Sequence, residues 1–268
     1  MQLLLGPLRL LGLTALLFVG LAIALLVFPW QSQPTRNRII RAWSRALVGL
    51  CGLRVDVAGA LPADLARTGI RAGQPGRLLL ANHISWIDVF ALNAVLPIRF
   101  VAKAEIGRWP LMGQLVTLAG TLYIERGRRH AVHAMNQRVR ERLQAGESVA
   151  VFPEGTTTDG LSLLAFHSNL IAPALELRCA VWPVALRYTQ GGRVSQAAAF
   201  IGTTTLVASM WRIVTARGLR VEVALLPPVP TDGQTPPTRH QVAQAARAAI
   251  AQHLGLPAES PSHRFGGD

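Results

Sequence analysis

The chain contains 268 residues, of which 50% are hydrophobic, and it carries a formal net charge of +13 at pH 7. This length is sufficient for one α/β domain with a substantial core and an appendage. The charge does not indicate nucleic-acid binding, because the arginines are scattered, form no run interleaved with aromatic residues and match no nucleic-acid motif. An anionic membrane surface accounts for the excess more simply. Cys51 and Cys179 are isolated among apolar residues, which predicts buried, reduced thiols and not disulfides or metal ligands.

The N-terminal segment is long and apolar enough to cross a bilayer. No charged residue occurs from Leu10 to Thr35, and about 20 apolar residues span a hydrocarbon core as a helix. A cleaved signal peptide is the alternative, but its apolar core would be shorter and would end in small residues. Phe28-Pro29-Trp30 closes this run instead. We therefore predict a retained transmembrane anchor over residues 1–33.

Arginines follow this segment and predict its orientation. Arg36, Arg38, Arg41 and Arg45 come after it, whereas Arg9 precedes it. The positive-inside rule then puts the body of the protein on the cytoplasmic side of the membrane, a bacterial inner membrane in our interpretation. The arginines alternate with apolar residues, which predicts that residues 34–52 form a basic amphipathic helix lying on the bilayer. The second helix of an N-terminal hairpin is an equally good interpretation.

The remaining sequence alternates strand patterns with helix patterns. Strands are predicted at Leu53–Ala58, Leu78–Ala81, Arg99–Ala102, Thr121–Ile124, Val149–Phe152, Val181–Leu186 and Arg220–Leu226. Helices are predicted at Trp86–Leu96, Trp109–Leu118, His130–Ala145, Asn169–Leu177 and Thr238–Leu254. This alternation predicts an α/β fold with a mainly parallel sheet flanked by helices. Ala63–Gly76 is predicted to be a loop, and residues 255–268 a disordered tail.

A histidine and an aspartate stand just after the predicted strand that ends at Ala81. In a regular helix, residues five apart lie about 140° from one another around the axis. His83 and Asp88 can therefore meet only if the histidine lies in an irregular turn ahead of a helix, with Ser85 capping that helix. The alternative is a capping box, in which Asp88 serves only the backbone N–H groups of its own helix.

A second polar group follows another strand. Val149–Phe152 is succeeded by Pro153-Glu154-Gly155, which sets a carboxylate and a flexible glycine at a strand's C-terminal end. Ligands in open α/β sheets bind outside such ends.

Together these segments resemble the glycerolipid acyltransferase family, which includes the 1-acylglycerol-3-phosphate acyltransferases. Four blocks of the family occur in order: Asn82-His83-x4-Asp88, Gly120–Arg126, Phe152–Thr156 and Val181–Ala185. Between the first two, Phe100–Glu105 matches the family's lysine-bearing strand. The resemblance covers residues 78 to 190 most clearly, and it implies an acyltransferase domain over residues 53–254.

The resemblance implies a general-base mechanism. His83 would take the proton of a lysolipid hydroxyl as its oxygen attacks an acyl thioester of acyl carrier protein or coenzyme A. Asp88 would hold the ring's tautomer, as the carboxylate of a Ser-His-Asp triad does. Backbone N–H groups of Glu154-Gly155-Thr156 are candidates for oxyanion stabilisation. No cofactor beyond the acyl donor and no metal is expected.

The resemblance also implies the substrate-binding residues. Lys103, which is the only lysine of the chain, and Arg126 would bind the acceptor's phosphate. Glu154 would contact its glycerol or an arginine nearby. Asn82, Gly155 and Thr156 complete the predicted substrate-binding set.

Two departures from the common lysophosphatidate pattern concern the acceptor. Thr157 stands where arginine is usual after Glu154-Gly155-Thr156, and His167 stands where glycine is usual after Phe166. This variant resembles members that acylate lyso-ornithine lipids, whose head group has no phosphate. We predict acylation of 1-acyl-sn-glycerol-3-phosphate to phosphatidic acid, with lyso-ornithine lipid acylation as the alternative.

Two other classes of function remain alternatives. One is a non-catalytic, membrane-associated interaction module. The other is a hydrolase with Ser85 or Ser168 as nucleophile, which the absence of a Gly-x-Ser-x-Gly elbow from the sequence disfavours.

Overall fold

The chain forms a twisted sheet of mainly parallel strands with helices on both faces. A computed structural model describes residues 5–63, 73–125, 129–231 and 236–257. The strands are β1 (Arg54–Ala58), β2 (Leu78–Ala81), β3 (Arg99–Lys103), β4 (Leu122–Ile124), β5 (Val149–Val151), β6 (Val181–Gln190), β7 (Arg193–Val194) and β8 (Leu219–Leu225). Their order is β1-β8-β6-β2-β5-β3-β4, with β7 paired to β6. Strand β6 is antiparallel to β8 and β7, and the other neighbours are parallel, so the predicted fold class is confirmed.

Helices connect most of these strands. They are α1 (Leu5–Leu26), α2 (Gln33–Leu50), α3 (Asp88–Val95), α4 (Met112–Leu118), α5 (Arg129–Gln144), α6 (Ala172–Glu176), α7 (Leu206–Thr215) and α8 (Arg239–Leu254). Short 3-10 helices cover Phe28–Trp30 and Ala104–Arg108. The predicted strands and helices all appear, with bounds shifted by a few residues, while α7 and β7 were not predicted.

Strand β2 lies at the centre of the sheet and is buried on both faces. Its side chains point alternately to opposite faces. Leu78 and Leu80 pack in the cluster that includes residues of α5 and α8. Leu79 and Ala81 pack in the cluster that includes residues of α3. Helices α1, α2 and α7 extend the second face, where they pack with α3 around Tyr188.

The first two helices pack against each other and against the domain. Gly20 of α1 lies so close to the Trp43 indole of α2 that a Cβ atom there would clash with it. The indole Nε1–H donates to the carbonyl of Leu16 at 3.0 Å. Within the described residues, α1 is the one helix long and apolar enough to cross a membrane. Its span stays a prediction.

Two arginines of α2 contact the domain. The Nε–H groups of Arg41 and Arg45 donate to the carbonyl of Ala94 at 3.3 and 2.8 Å. Cations at the C-terminal end of a helix, here α3, are electrostatically favourable. Half of the arginines that we expected to face lipid therefore contact α3, while the interfacial position of residues 34–52 stays a prediction.

A glycine ahead of β2 provides a first test of the packing. A Cβ atom at Gly76 would clash with the carbonyl of Glu147. We expect Gly76→Ala to destabilise the protein by about 2 kcal/mol or more, which lowers the Tm by roughly 4–8 °C. The matched control is Gly49→Ala in α2, where a Cβ atom meets no neighbour within 4 Å and helix propensity rises. Scanning fluorimetry in detergent measures both, and equal Tm values would contradict this account.

Candidate active site

An asparagine continues the sheet beyond the end of β2. The Asn82 side chain donates from Nδ2 to the Leu186 carbonyl at 3.0 Å and accepts from the Leu186 N–H at 2.7 Å. It reproduces the pairing of a peptide group with β6, so the main chain can turn away at His83. Asn82 is fully buried. Its predicted contact with the substrate stays a prediction, and the geometry supports a structural role.

The turn brings His83 and Asp88 together. The ring Nδ1 lies 2.8 Å from Asp88 Oδ2. The same oxygen accepts the backbone N–H groups of Ile84 and Ser85 at 2.7 and 2.9 Å. The two interpretations of this segment are therefore compatible, because one carboxylate orders the backbone turn and also binds the imidazole.

Ser85 does not cap the following helix, and this expectation is wrong. Helix α3 begins at Asp88, and the residue before it, Ile87, makes no capping bond through its side chain. The Ser85 hydroxyl is buried and has no hydrogen-bond partner among the described residues. Asp88 stabilises this turn instead, because its carboxylate accepts the backbone N–H groups of Ile84 and Ser85 ahead of the helix.

A tyrosine that the sequence motifs did not indicate completes the arrangement. The Tyr188 hydroxyl donates to Asp88 Oδ1 at 2.6 Å. Burial and the neighbouring Asp88 raise the pKa of Tyr188 well above its ordinary value, so the phenol stays a donor. No signal in the sequence indicated it, because Tyr188 is placed by β6, two residues beyond Leu186, which pairs with Asn82 in the structure.

The histidine ring lies at the wall of a cavity. It stacks on Phe152 with 3.9 Å between ring centroids and 14° between ring planes. Its side chain is 20% exposed, whereas Asp88 is fully buried. A neutral ring that donates Nδ1–H to Asp88 keeps the lone pair of Nε2 for a proton.

Glu154 binds the backbone of His83. Its Oε1 accepts the His83 N–H at 2.8 Å, and its Oε2 accepts the Leu164 N–H at 2.9 Å. Burial raises the pKa of Glu154 to about 7, against the pull of these two backbone donors. The Thr158 N–H donates to the His83 carbonyl at 2.8 Å. The loop after β5 therefore binds both the N–H and the carbonyl of His83. The predicted contact of Glu154 with the acceptor stays a prediction.

The cavity has a volume of about 650 Å³, within the range of ligand pockets. Its wall is mainly apolar and includes Leu13 and Leu17 of α1 and Met210 of α7. The wall also includes His83 and the polar or charged side chains of Lys103, Glu105, Thr156 and Thr157. A mainly apolar cavity with a histidine and a few polar side chains in its wall is suited to an acyl chain and a polar reacting group.

The other predicted site residues are placed as follows. Lys103 is exposed at the end of β3 and lines the cavity. Gly155 has a φ of +72°, which suits glycine, and its N–H closes a turn on the Phe152 carbonyl at 3.1 Å. Thr156 is exposed at the cavity wall. Arg126 lies outside the described residues.

The chain is similar to known acyltransferases. An acyltransferase family model matches residues 63–187. The lyso-ornithine lipid O-acyltransferase of Pseudomonas aeruginosa is 40% identical over 260 residues, which cover 93% of this chain and 92% of that protein. The 1-acyl-sn-glycerol-3-phosphate acyltransferase of Neisseria gonorrhoeae is 38% identical over 161 residues, which cover 58% of this chain and 63% of that protein.

A solved structure shares the fold. The crystal structure of the 1-acyl-sn-glycerophosphate (LPA) acyltransferase PlsC from Thermotoga maritima aligns with a TM-score of 0.67 at 18% identity. The alignment covers 95% of each chain, so the N-terminal helices and the sheet are both included.

Removal of the phenol tests the support of Asp88. In Tyr188→Phe the buried carboxylate loses one donor, and we expect the kcat of acyl transfer to fall about tenfold, equivalent to roughly 1.4 kcal/mol. The KM of the acceptor should change little, because Tyr188 is not part of the cavity wall that the structure describes.

Tyr123→Phe is the matched control. It removes the other tyrosine hydroxyl, which pairs with Thr117 at 2.8 Å; neither residue is part of the described cavity wall. Steady-state kinetics of the two variants beside the wild type make the comparison. Equal kcat values in all three proteins would show that the Tyr188 hydroxyl does not support the site.

Proposed function

This chain belongs to the acyltransferase family, and we propose that it transfers a fatty acyl group from an acyl thioester to the hydroxyl of a lyso-ornithine lipid. The observation that carries the proposal is the His83–Asp88 pair, with 2.8 Å between ring and carboxylate, in which His83 lines a largely apolar cavity.

The geometry supports a direct transfer. The Nε2 atom of His83 takes the acceptor's proton while the hydroxyl oxygen attacks the thioester carbonyl. Asp88 stabilises the imidazolium that forms, and collapse of the tetrahedral intermediate breaks the C–S bond. The imidazolium then returns the proton to the departing thiolate. Thr156, which is exposed and lines the cavity, is our candidate in this turn for stabilising the oxyanion.

A serine nucleophile is not required, because the acceptor supplies the attacking oxygen. Ser85 and Ser168 are both buried. Neither belongs to the cavity wall that the structure describes, which argues against the hydrolase interpretation. A base, its orienting carboxylate and a lipid-sized cavity likewise argue against a non-catalytic module.

The apolar cavity wall favours substrates that come from a bilayer. Leu10, Leu13 and Leu17 of α1 contribute to it, so the helix that we expect to enter the membrane also lines the substrate site. Lipid acceptors would then reach His83 without leaving an apolar environment. The cytoplasmic orientation predicted from the arginines of α2 is part of this proposal.

The choice of acceptor rests on two observations. The similarity to the Pseudomonas aeruginosa protein runs over nearly the whole of both chains. Thr157, where the lysophosphatidate pattern has arginine, lines the cavity and donates its hydroxyl to the Phe200 carbonyl. This position therefore adds no positive charge, which suits an ornithine head group with one carboxylate better than a phosphate dianion.

Lysophosphatidate is the second candidate, and it was our first expectation from the sequence. It is favoured by Lys103 at the cavity wall and by the similarity to the Neisseria gonorrhoeae protein. The predicted role of Arg126 belongs to this candidate.

Parallel acceptor assays test the function. We expect purified protein to show a higher kcat/KM with lyso-ornithine lipid than with lysophosphatidate, with acyl carrier protein and coenzyme A thioesters tried as donors. His83→Ala should lose about 10²–10⁴-fold in kcat with either acceptor, because the base is removed. The reverse preference would select lysophosphatidate, and wild-type activity in His83→Ala would reject His83 as the base.

A charge deletion tests the head-group site. Lys103→Ala should raise the acceptor KM about tenfold or more, as expected for the loss of a hydrogen bond to a charged group, while the donor KM stays constant. Arg108→Ala is the control, since Arg108 is exposed five residues further on and is not part of the described cavity wall. Unchanged acceptor KM in both variants would remove Lys103 from head-group binding.

A further inference from the structure

Helix α7 exposes large apolar side chains to solvent. Val207 is 77% and Trp211 is 47% exposed, and Ile201 in the preceding segment is 42% exposed. The opposite side of the helix is anchored in the domain, where Ile213 is fully buried and Ser209 accepts the Trp86 indole N–H at 3.1 Å. A helix that is firmly packed on one side and apolar on its outer side is suited to an apolar partner.

The N-terminal end of α1 packs directly on α7. A Cβ atom at Gly6 would lie 3.1 Å from the Trp211 ring and from the Thr215 methyl group, which shows how closely the helices approach. Arg9 reinforces the contact by donating from Nη1 to the Val214 carbonyl at 2.5 Å. Beside this contact, Leu8 and Leu11 of α1 are 64% and 68% exposed. The exposed apolar side chains of α1 and α7 therefore lie on adjacent helices.

Both helices also line the substrate cavity. Leu206 and Met210 of α7 contribute to the wall beside Leu10 and Leu13 of α1. The outer side of α7 thus lies one helix thickness from the space that we assign to the acyl chain.

The charges around α7 fit an anionic surface. Between Glu176 and Glu222 the sequence contains six arginines and no acidic residue. Arg212 and Arg217, in and just after α7, are both exposed. The sequence ahead of Asp56, which includes α1, likewise contains no acidic residue. Basic residues beside an apolar helix surface attract anionic lipid head groups.

We propose that α7 is a membrane-docking element: Val207 and Trp211 enter the interfacial region of an anionic phospholipid bilayer beside the N-terminal end of α1. Because α7 packs on this end of α1, the proposal places both in the same leaflet, in place of the span predicted from the sequence. The proposal rests on the proposed function: if the acceptor is a membrane lipid, docking by α7 lets it enter the cavity between α1 and α7. Trp at this depth is favourable, since the indole has an apolar body and a polar N–H.

Site-directed labelling of the full chain measures the docking. Both native cysteines are buried, so unmutated protein provides the labelling background. An environment-sensitive fluorophore is attached to Val207→Cys, to Leu8→Cys on α1, and to Ala245→Cys. Ala245 is exposed on α8, which packs on the opposite face of the sheet. The labelled proteins are reconstituted in phosphatidylcholine vesicles with a minority of phosphatidylglycerol, with and without doxyl-labelled lipid.

The expected result is a blue shift and doxyl quenching at position 207 that match those at position 8, with neither at position 245. Emission at 207 like that at 245 overturns the proposal. Labels that are equally quenched at all three positions overturn it as well, because they indicate non-specific adsorption.

A kinetic measurement separates docking from catalysis. Val207→Glu places a negative charge on the outer side of α7, and we expect it to raise the KM of acceptor presented in anionic vesicles about tenfold. The kcat/KM for a short-chain, monomeric acceptor should equal that of the wild type, because Val207 lies outside the described cavity wall. Ala245→Glu is the matched control for the added charge.

The outcomes distinguish the two proposals. Equal vesicle KM values in wild type, Val207→Glu and Ala245→Glu overturn docking by α7 while acyl transfer stands. Absence of acyl transfer in the wild type with any lysolipid rejects the proposed function, and the labelling result still decides the docking.

Discussion

The site depends on one buried carboxylate. Asp88 is fully buried and accepts hydrogen bonds from His83, from two backbone N–H groups and from Tyr188. A carboxylate removed from water is costly unless donors surround it. The turn after β2, helix α3 and strand β6 must therefore be assembled together before the carboxylate is satisfied. The same assembly holds the imidazole, so folding and preorganisation of the proposed base have a common physical origin.

A second carboxylate and the N-terminal helices complete the arrangement. Glu154 fixes the backbone of His83 from the loop after β5, while Asp88 fixes its ring from α3. The cavity is lined by His83 and by apolar side chains of α1 and α7. Contacts of Arg41 and Arg45 with the end of α3 join the N-terminal helices to the helix that carries Asp88. The proposed base and the apolar cavity wall thus share the same supporting elements.

Local patterns in the sequence predicted the strands and most helices, and the family resemblance favoured the meeting of His83 with Asp88 that local spacing left open. Long-range contacts were not predicted. Tyr188 reaches Asp88 from a strand 100 residues away, and no local spacing indicates such a contact. Glu154 stood at the predicted strand end, but its bonds to backbone N–H groups depend on how two loops pack. Helix α7 spans ten residues, which is fewer than the window of about 11–18 residues in which a helical periodicity is recognised.

The amide of Asn82 has a consequence for chemical ageing and for mutation. Its two bonds to Leu186 require one donor and one acceptor on the same side chain, a combination that aspartate of the same shape does not have. Deamidation would set a carboxylate oxygen against the Leu186 carbonyl oxygen, and a buried repulsion of this kind is expensive. The position therefore requires an amide and not only its shape, and the exchange of one nitrogen for oxygen would weaken the attachment of the His83 turn to the sheet.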